Sequence, residues 1–412
     1  MKNGFLSEMS SRGLVNQCTD LERLSQISKQ KSISAYIGFD CTAKSLHVGS
    51  LMQIMILRLL QKYGHRPIVL LGGGTTLIGD PSGKDSTRKF LKQNEIKKNI
   101  ASIKKIFEKL LDTKNKKTKP IFVNNYDWLG KLKYIDFLRE IGRHFTINKM
   151  LTFESVKLRL EREQSLSYME FNYMILQAFD FYQLFQKHNC ILQLGGSDQW
   201  GNIINGVDLV RRITQKEVFG LTSPLITNSS GVKMGKTEKG AIWLDKKLLT
   251  TYDYWQFWRN TEDEDVKKFL RIFTEIELET ISQKLNNTKN INDLKTLLAN
   301  EATKILHGKN EAKKAEKTAK ETFGGGIGEN LPEIFISKNE INKGINIVDI
   351  LSINNIVSSK SEARRAIKGN GIRLNDKLIS DEKMKLELNE FKGKETIKIS
   401  YGKKKHYKIK IN

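Results

Sequence analysis

The stretch Ser34-Ala-Tyr-Ile-Gly-Phe-Asp-Cys-Thr-Ala-Lys-Ser-Leu-His-Val-Gly-Ser50 decides the fold of the first half of the chain. Its first six residues are mostly apolar and predict a buried β-strand, and a helical pattern starts near His47 and runs to Tyr63. Three further apolar runs are separated by helical stretches: residues 66–72, 120–123 and 190–195. Strands that are apolar on both faces and alternate with helices predict a parallel sheet covered on both sides.

Glycine-rich turns follow two of these strands, at Gly72-Gly-Gly74 and Gly195-Gly196. In an open α/β sheet the ligand binds outside the carboxyl ends of the strands. The turn after the first strand also brings His47 and Gly49 to the start of a helix, where unpaired N–H groups favour a phosphate. Two nucleotide-loop patterns fail on spacing, because residues 79–84 are one residue short of a P-loop and residues 72–74 are not GxGxxG.

The composition is that of a folded, water-soluble protein. The chain has 412 residues, 39% of them hydrophobic and 28% charged, which predicts two or three domains. We expect no transmembrane helix and no secretory signal, and therefore a cytoplasmic protein without a membrane partner. The three cysteines, Cys18, Cys41 and Cys190, are far apart in sequence, which argues against a disulfide framework and a zinc site.

The net charge of +24 is concentrated in parts of the chain. Residues 246–344 carry 17 basic and 16 acidic residues, whereas residues 345–412 carry 16 and 8, and residues 89–119 carry 11 and 3. A basic surface suggests a polyanionic partner such as nucleic acid. A lysine-rich composition from AT-rich codons explains the total charge equally well. For residues 89–119, both an RNA-facing surface and an accumulation of lysines through codon usage therefore stay open.

Three regions follow from the pattern along the chain. Residues 1–245 alternate strands and helices, and residues 246–323 are helical throughout. The glycines of 324–328 resemble a linker. A compact unit then begins near residue 345, with two helices (347–352 and 360–368) and two late strands (396–400 and 406–411).

A second glycine-flanked loop, Gly231-Val-Lys-Met-Gly-Lys-Thr-Glu-Lys-Gly240, places two lysines three residues apart. Such a loop can close over a triphosphate and stabilise a departing pyrophosphate. The His-x-Gly turn and this Lys-x-x-Lys-Thr loop together resemble the class I aminoacyl-tRNA synthetases, whose signatures read His-Ile-Gly-His and Lys-Met-Ser-Lys-Ser. Within that class, nearly the whole chain is similar to bacterial-type tyrosyl-tRNA synthetases, on five further stretches: residues 36–40, 78–84, 125–128, 173–180 and 193–202.

The resemblance implies an α/β fold in three domains. These are a Rossmann-like, dimer-forming catalytic domain (1–245), an all-α anticodon-arm domain (246–330) and a small α+β RNA-binding domain (345–412). It implies a tyrosine–tRNA ligase that converts L-tyrosine and ATP to tyrosyl-adenylate and pyrophosphate, then transfers tyrosine to the 3′ end of tRNA(Tyr). Mg²⁺ would accompany ATP without a tightly bound metal, and the protein would be a homodimer.

The resemblance also assigns roles to individual residues, in three groups. The tyrosine site would comprise Tyr36 and Asp180 at the phenolic hydroxyl, Asp80, Tyr173 and Gln177 at the α-ammonium group, and Asp40 and Gln199 as orienting groups. The adenosine pocket would comprise Gly38, Gly49, Ser50, Gly196 and Asp198. The phosphates would contact Thr42, His47, Lys84, Arg88, Lys233, Lys236 and Thr237.

The C-terminal region resembles a small RNA-binding domain that is also found in a ribosomal protein. Its helix places four basic side chains in one stripe suited to an RNA backbone: Lys360, Arg364, Arg365 and Lys368. The run Lys403, Lys404 and Lys405 adds to this surface, and Tyr407 could stack on a base.

Two positions depart from the family pattern. Ser50 replaces the second signature histidine and keeps one hydrogen-bond donor without the reach of imidazole. Cys41 replaces the proline that usually follows the strand aspartate. Three alternatives stay open at this point: a tryptophanyl-tRNA synthetase, an adenylyltransferase that shares the nucleotide site, and a catalytically inactive RNA-binding relative.

Overall fold

The computed structural model describes residues 4–80, 91–237, 240–323, 327–328, 331–391, 393–402 and 405–412, without the side chains of residues 154, 155, 236, 237 and 323. The chain forms two compact units. The first unit comprises Met1–Lys236, Trp243–Asp245 and Lys267–Asn287. The second unit comprises Thr237–Ile242, Lys246–Val266 and Thr288–Asn412.

The described strands are, in chain order, β1 (Gln17–Cys18), β2 (Ser34–Phe39), β3 (Arg66–Leu71), β4 (Ile121–Asn124), β5 (Cys190–Gly196), β6 (Phe219–Ser223), β7 (Lys236–Thr237), β8 (Gly240–Ala241), β9 (Glu333–Ile336), β10 (Ile345–Asn346), β11 (Ile372–Leu374), β12 (Lys377–Leu378), β13 (Lys385–Leu386), β14 (Thr396–Tyr401) and β15 (Lys405–Ile411).

The described α-helices are α1 (Phe5–Ser11), α2 (Leu21–Gln30), α3 (Val48–Lys62), α4 (Thr75–Ile78), α5 (Gln93–Leu110), α6 (Tyr126–Leu129), α7 (Tyr134–Glu140), α8 (Ile147–Leu151), α9 (Glu154–Glu161), α10 (Tyr168–His188), α11 (Trp200–Thr214), α12 (Thr251–Arg259), α13 (Val266–Phe273), α14 (Leu278–Asn287), α15 (Ile291–His307), α16 (Lys309–Phe323), α17 (Lys338–Asn342), α18 (Ile347–Ile353), α19 (Lys360–Lys368) and α20 (Leu388–Phe391). Over the described part of the chain, no helix is both long and apolar enough to cross a bilayer.

The first unit is built on one six-stranded sheet in the order β1-β6-β5-β2-β3-β4. Strands β2 to β6 are parallel, and the short β1 pairs antiparallel with β6 at the edge. The four predicted strands are β2, β3, β4 and β5, so the predicted parallel sheet is confirmed. The chain builds β3 and β4 on one side of β2 and then crosses to β5 on the other side. A ligand crevice is therefore expected at the carboxyl end of β2.

Helix α10 lies against this sheet and is fixed at both ends. At its start, Ser167 and Glu170 form a capping box, and Glu170 also pairs with the buried Arg159 at 3.3 Å. At its end, Asn189 adopts the left-handed conformation that closes many helices. In between, Phe181 and its apolar neighbours bury against Tyr36 and the sheet. Burial of each large apolar side chain contributes about 1.5–3 kcal/mol, which holds the polar face of α10 in place.

The second unit combines a helical bundle with a C-terminal sheet. The side chain of Asn300 on α15 accepts from Trp255 Nε1 on α12 at 2.8 Å and donates to Glu316 on α16 at 2.9 Å, so one amide links three helices. The C-terminal sheet has the order β12-β11-β14-β15-β9, with β9 parallel to β15. The four predicted C-terminal elements are confirmed as α18, α19, β14 and β15.

The compact units divide the chain differently from the predicted regions. Helices α13 and α14, inside the predicted 246–330 region, belong mainly to the first unit. Strand β9 lies before the predicted start at residue 345, yet it pairs along β15. The C-terminal fold therefore needs residues 333–336, and a truncation at 345 would remove one strand of its sheet.

Candidate active site

Tyr36 lies in the middle of the sheet, on β2. Its side chain is 1% exposed and packs on Phe181 with ring centroids 5.3 Å apart. Its hydroxyl is buried and has no hydrogen-bond partner in the described part of the chain. Because a buried hydroxyl without a partner is costly, this atom is suited to a polar group that a ligand supplies.

Asp180 on α10 is equally buried, at 1% exposed. Its Oδ1 accepts from Trp128 Nε1 at 2.7 Å, and its Oδ2 accepts from Asn125 Nδ2 at 2.9 Å. Burial raises the pKa of Asp180 to about 7, although these two hydrogen bonds lower it. Each carboxylate oxygen has two lone pairs, so Asp180 can accept a further donor.

The charge of Asp180 also affects Tyr36, the other predicted hydroxyl-binding residue. Burial, followed by the charge of Asp180, raises the pKa of Tyr36 well above its usual range, so its hydroxyl stays protonated. A protonated hydroxyl beside a carboxylate offers one donor and one acceptor. That pair is complementary to a phenol, which both donates and accepts a hydrogen bond.

Asn125, directly after β4, holds Asp180 in place. It is fully buried, and its amide makes three hydrogen bonds: Oδ1 accepts from Gly74 N at 2.7 Å, and Nδ2 donates to Thr75 Oγ1 and Asp180, each at 2.9 Å. Neither Asn125 nor Trp128 was given a role from the sequence, although both lie in one of the family-like stretches. The available signal was a polar asparagine directly after a predicted strand, with a tryptophan three residues later.

A second polar cluster includes Gln177, which lies on α10 about one turn before Asp180. Gln199 Nε2 donates to Asp80 Oδ2 at 2.9 Å, and Gln199 Oε1 lies 3.4 Å from Gln177 Nε2. The structure therefore brings together Asp80 and Gln177, which the resemblance assigns to the α-ammonium group, and Gln199, which it assigns to orienting the substrate. Tyr173 lies one turn before Gln177 on the same helix and is 5% exposed. Carboxylate and amide oxygens are suitable acceptors for the three donors of an ammonium group.

His47 is the N-cap residue of α3, and its Nδ1 accepts from Gly49 N at 3.0 Å. In the neutral ring the proton must then be on Nε2, which can donate to an acceptor such as a phosphate oxygen. The positive end of the helix dipole adds to this preference for an anion. Ser50 is half-buried in the first turn of α3, and its N–H donates to the His47 carbonyl at 2.8 Å.

The lysine loop packs onto this turn. A Cβ on Gly49 would lie 2.6 Å from the Met234 carbonyl oxygen, and a Cβ on Gly235 would overlap the His47 ring. Gly235 also has φ of +105°, which an L side chain rarely adopts. Gly49 and Gly235 thus allow the lysine loop to approach the start of α3 closely. Lys233 is exposed, whereas the side chains of Lys236 and Thr237, and all of Lys84 and Arg88, lie outside the described residues.

The other predicted nucleotide residues lie at or near the carboxyl ends of β2 and β5. Gly38 is exposed although it belongs to the central strand, and a Cβ there would lie within 4 Å of Leu70 alone. Asp40 is half-buried and Thr42 exposed in the turn after β2. Gly196 ends β5, and a Cβ on it would lie 2.7 Å from Asp198 Oδ1. Asp198 is exposed.

The predicted RNA-binding helix is α19. Arg364 and Arg365 are exposed, and within the described residues neither forms an ion pair. The two lysines of the stripe are paired, Lys360 with Asp349 at 2.7 Å and Lys368 with Glu382 at 3.6 Å. Lys405 is half-buried and donates to the Ile356 carbonyl at 3.3 Å, and Lys403 and Lys404 lie outside the described residues. The ring of Tyr407 packs against the C-terminal core. The two arginines are thus the most available cations of this surface.

The second basic region, residues 89–119, is described from residue 91. Its buried face is formed by apolar side chains of α5, and its lysines are exposed. Lys104 lies 3.9 Å from Glu108. Among the residues that can be described, no group of three or more His, Cys, Asp or Glu side chains is placed to hold a metal ion.

Comparison with known proteins places this geometry in a family. A model of class I tRNA synthetases of the W and Y type matches residues 28–324, and a C-terminal-domain model of tyrosine–tRNA ligases matches residues 326–409. The chain belongs to the tyrosyl-tRNA synthetase family. The resemblance read from the sequence is therefore confirmed.

Full-length relatives of this family member include bacterial tyrosine–tRNA ligases. The enzyme of Pelagibacter ubique is 61% identical, and the match covers 99% of this chain and 100% of that protein. The enzyme of Ehrlichia ruminantium (strain Gardel) is 52% identical, and the match covers 99% of this chain and 98% of that protein. A solved structure, the C-terminally truncated mitochondrial tyrosyl-tRNA synthetase of Aspergillus nidulans, has a TM-score of 0.71 at 30% identity. It covers 78% of this chain and 95% of its own.

The raised pKa of Asp180 predicts pH-dependent binding of tyrosine. Below pH 7 the carboxyl is largely protonated, and in that form it accepts a hydrogen bond from a phenol much less strongly than the charged carboxylate does. Tyrosine affinity should therefore rise about tenfold from pH 6 to pH 8, measured by equilibrium dialysis. The Asp180→Asn variant, which cannot ionise, should bind more weakly and without this slope. A pH-independent affinity of the unmodified protein would contradict the assignment.

Proposed function

We propose that these residues carry out tyrosine–tRNA ligation, the reaction named for the full-length relatives of this chain. The observation that carries the proposal is the buried pair formed by the Asp180 carboxylate and the Tyr36 hydroxyl, which has no hydrogen-bond partner among the described residues. Phenylalanine would leave the buried Tyr36 hydroxyl unsatisfied and would offer Asp180 no donor beyond Asn125 and Trp128. Tyrosyl-tRNA synthetases are themselves the established example of the strong discrimination that results.

In the first step, the tyrosine carboxylate attacks the α-phosphate of ATP in line, forming tyrosyl-adenylate and releasing pyrophosphate. No side chain acts as a nucleophile, so catalysis consists of orientation and stabilisation of developing phosphate charge. Tyr36 and Asp180 hold the phenol, while Asp80, Tyr173 and Gln177 hold the ammonium group. Asp40 and Gln199 orient the reacting carboxylate.

The nucleotide is held by the turn after β2 and by the lysine loop. His47 Nε2 and Thr42 donate to the phosphates, and Gly38, Gly49 and Gly196 leave room for the adenosine. Asp198 accepts from the ribose, and Ser50 supplies one donor in place of imidazole. Four further residues bind the departing pyrophosphate: Lys84, Arg88, Lys233 and Lys236, with Thr237 beside them. Mg²⁺ enters with ATP, whose phosphate oxygens are hard ligands of the kind it prefers.

In the second step, a terminal ribose hydroxyl of tRNA(Tyr) attacks the adenylate carbonyl, and AMP leaves. We assign the chemistry to residues 1–245, contacts with the anticodon arm to 246–330, and further RNA binding to the C-terminal region. Arg364 and Arg365 are its principal contacts, supported by Lys360, Lys368 and the run 403–405. The reaction takes place in the cytoplasm.

A homodimer is supported by exposed apolar side chains concentrated between residues 134 and 168. Eight of the sixteen large apolar side chains that are exposed in the described chain lie in this segment, which we call the 134–168 patch: Tyr134, Ile135, Leu138, Ile147, Leu151, Leu158, Leu160 and Tyr168. The hydroxyls of Tyr134 and Tyr168 are 3.0 Å apart, so the two ends of the segment meet. A large exposed apolar surface is typical of an interface.

Amino-acid-dependent ATP–pyrophosphate exchange tests the function. We expect tyrosine to exceed phenylalanine by about 10⁴–10⁵ in kcat/KM, with no comparable activity for tryptophan, followed by charging of tRNA(Tyr). Tyr36→Phe removes the donor to the phenol oxygen and should reduce this ratio about tenfold. Preference for tryptophan would favour the tryptophanyl alternative, and exchange without tRNA charging would favour an adenylyltransferase.

The RNA surface is best tested by removing charge, because truncation at residue 345 would disrupt the C-terminal sheet. Arg364→Ala/Arg365→Ala should raise the KM for tRNA and reduce the slope of log K against log salt by about 1.5, while pyrophosphate exchange is unchanged. Lys29→Ala/Lys31→Ala removes two exposed charges elsewhere and is the matched control. An equal effect of both variants would rule out a specific contribution of α19.

The dimer surface is tested by Ile135→Asp/Ile147→Asp, which places two charges in the 134–168 patch. Light scattering should show the mass falling from a dimer to the monomer of 47.3 kDa, because charges buried without partners are costly. Phe335→Asp changes an exposed apolar side chain outside the patch and should remain dimeric. A dimer that survives the double substitution would place the interface elsewhere.

A further inference from the structure

Two side chains from distant parts of the first unit hold the turn after β2 by its backbone. The N–H of Cys41 donates to Thr76 Oγ1 at 3.0 Å, and the Cys41 carbonyl accepts from Asn99 Nδ2 at 2.9 Å. All three residues are buried, with exposures of 0%, 7% and 2% for Cys41, Thr76 and Asn99. Thr76 lies on the short helix α4, and Asn99 lies on α5.

Residue 41 is one of the two positions that depart from the family pattern, which has proline there. Proline fixes φ and carries no N–H group. A cysteine leaves the backbone freer and adds a donor, and a buried donor must find an acceptor. Thr76 provides this acceptor, so hydrogen bonds restrain the turn where the ring of proline would otherwise do so.

The position of Asn99 supports a dedicated role. It lies on the buried face of α5, between Ile96 and Ile103 and in an otherwise apolar stripe. A polar side chain in such a stripe costs stability unless it is hydrogen-bonded. Its amide reaches the Cys41 carbonyl, which also explains why this helix carries asparagine among isoleucines.

The thiol of Cys41 does not take part. Burial raises its pKa to about 12, so it stays neutral, and its Sγ lies 3.6 Å from the Phe39 carbonyl. The two restraining hydrogen bonds both use the peptide groups of residue 41. The side chain of this residue can therefore be changed without removing either bond, whereas proline removes the N–H alone.

We propose that Thr76 and Asn99 are positioning residues for tyrosine activation, which hold the Cys41 peptide groups so that Asp40 and Thr42 face the reacting phosphate. This inference rests on the proposed function, in which both neighbours of Cys41 contact the substrates. Loosening the turn should affect the rate of adenylate formation rather than tyrosine affinity, since the phenol pocket is fixed separately by Asn125 and Trp128.

A double-mutant cycle tests the pair formed by Cys41 and Thr76. In the natural background, Thr76→Val leaves the Cys41 N–H without an acceptor. We expect the single-turnover rate of adenylate formation to fall about tenfold or more, with an unchanged Kd for tyrosine. In the Cys41→Pro background there is no N–H to satisfy, and Thr76→Val should change the rate less than about threefold.

Three control variants separate this role from general damage. Cys41→Ala keeps the N–H, so Thr76→Val should cost as much in that background as in the natural one. Thr76→Ser keeps the hydroxyl and should restore the rate to within about threefold. Asn99→Ala removes the hydrogen-bond partner of the carbonyl of residue 41. Proline has the same carbonyl, so the Cys41→Pro substitution should not restore the rate of the Asn99→Ala variant.

Equal penalties for Thr76→Val with cysteine and with proline at position 41 would overturn the inference. So would a loss of tyrosine affinity as large as the loss of rate, or a Thr76→Ser variant as impaired as Thr76→Val. Melting temperatures identify any variant that fails to fold. If one fails, the rate of the Thr76→Ser variant, which keeps the hydroxyl, is used to test the inference instead. If the unmodified chain lacked tyrosine-dependent exchange, the proposed function itself would fail, whereas an active chain with additive penalties contradicts this inference alone.

Discussion

The amide of Asn125 is the interaction on which the amino-acid pocket depends. It is buried at the end of β4, and it connects the Gly74 N–H, the Thr75 hydroxyl and the Asp180 carboxylate. A carboxylate in an apolar interior is stable only when its oxygens are hydrogen-bonded. Asn125 and Trp128 satisfy Asp180 on one side and leave it able to accept on the other. The same amide also binds the glycine turn that follows β3. Asp180 and this turn at the carboxyl end of the sheet are therefore held together by one side chain.

Much of the fold could be predicted from the sequence, because buried parallel strands and amphipathic helices leave strong periodic patterns. Strands β2 to β5 have apolar runs that no surface segment would carry. Strand β6 was not predicted, although all five of its residues, including Thr222 and Ser223, are buried. Two hydroxyl residues at the end of a short run look like a turn, and only their hydrogen bonds to neighbouring segments make them compatible with the interior.

In the candidate site, too, some residues could be predicted from local sequence patterns and others only from the structure. Tyr36, Gln177 and Asp180 could be located because they fall in long family-like stretches and share a strand or a helix face. Asn125, Thr76 and Asn99 act on residues 35 to 58 positions away. No local pattern reports such a partner. Asn99 is the exception in part, since a polar residue at a core position of α5 is visible as an anomaly, but only the structure shows that its partner is the carbonyl of residue 41.

Adjacent threonines on α4 join two networks that would otherwise be separate. The hydroxyl of Thr75 belongs to the network of Asn125 and Asp180, and that of Thr76 binds the turn beside the nucleotide. The two networks thus meet on one four-residue helix, but each threonine hydroxyl holds its own partner. Loss of the Thr76 hydroxyl therefore leaves the hydrogen bonds of Asn125 to Thr75 and Asp180 in place.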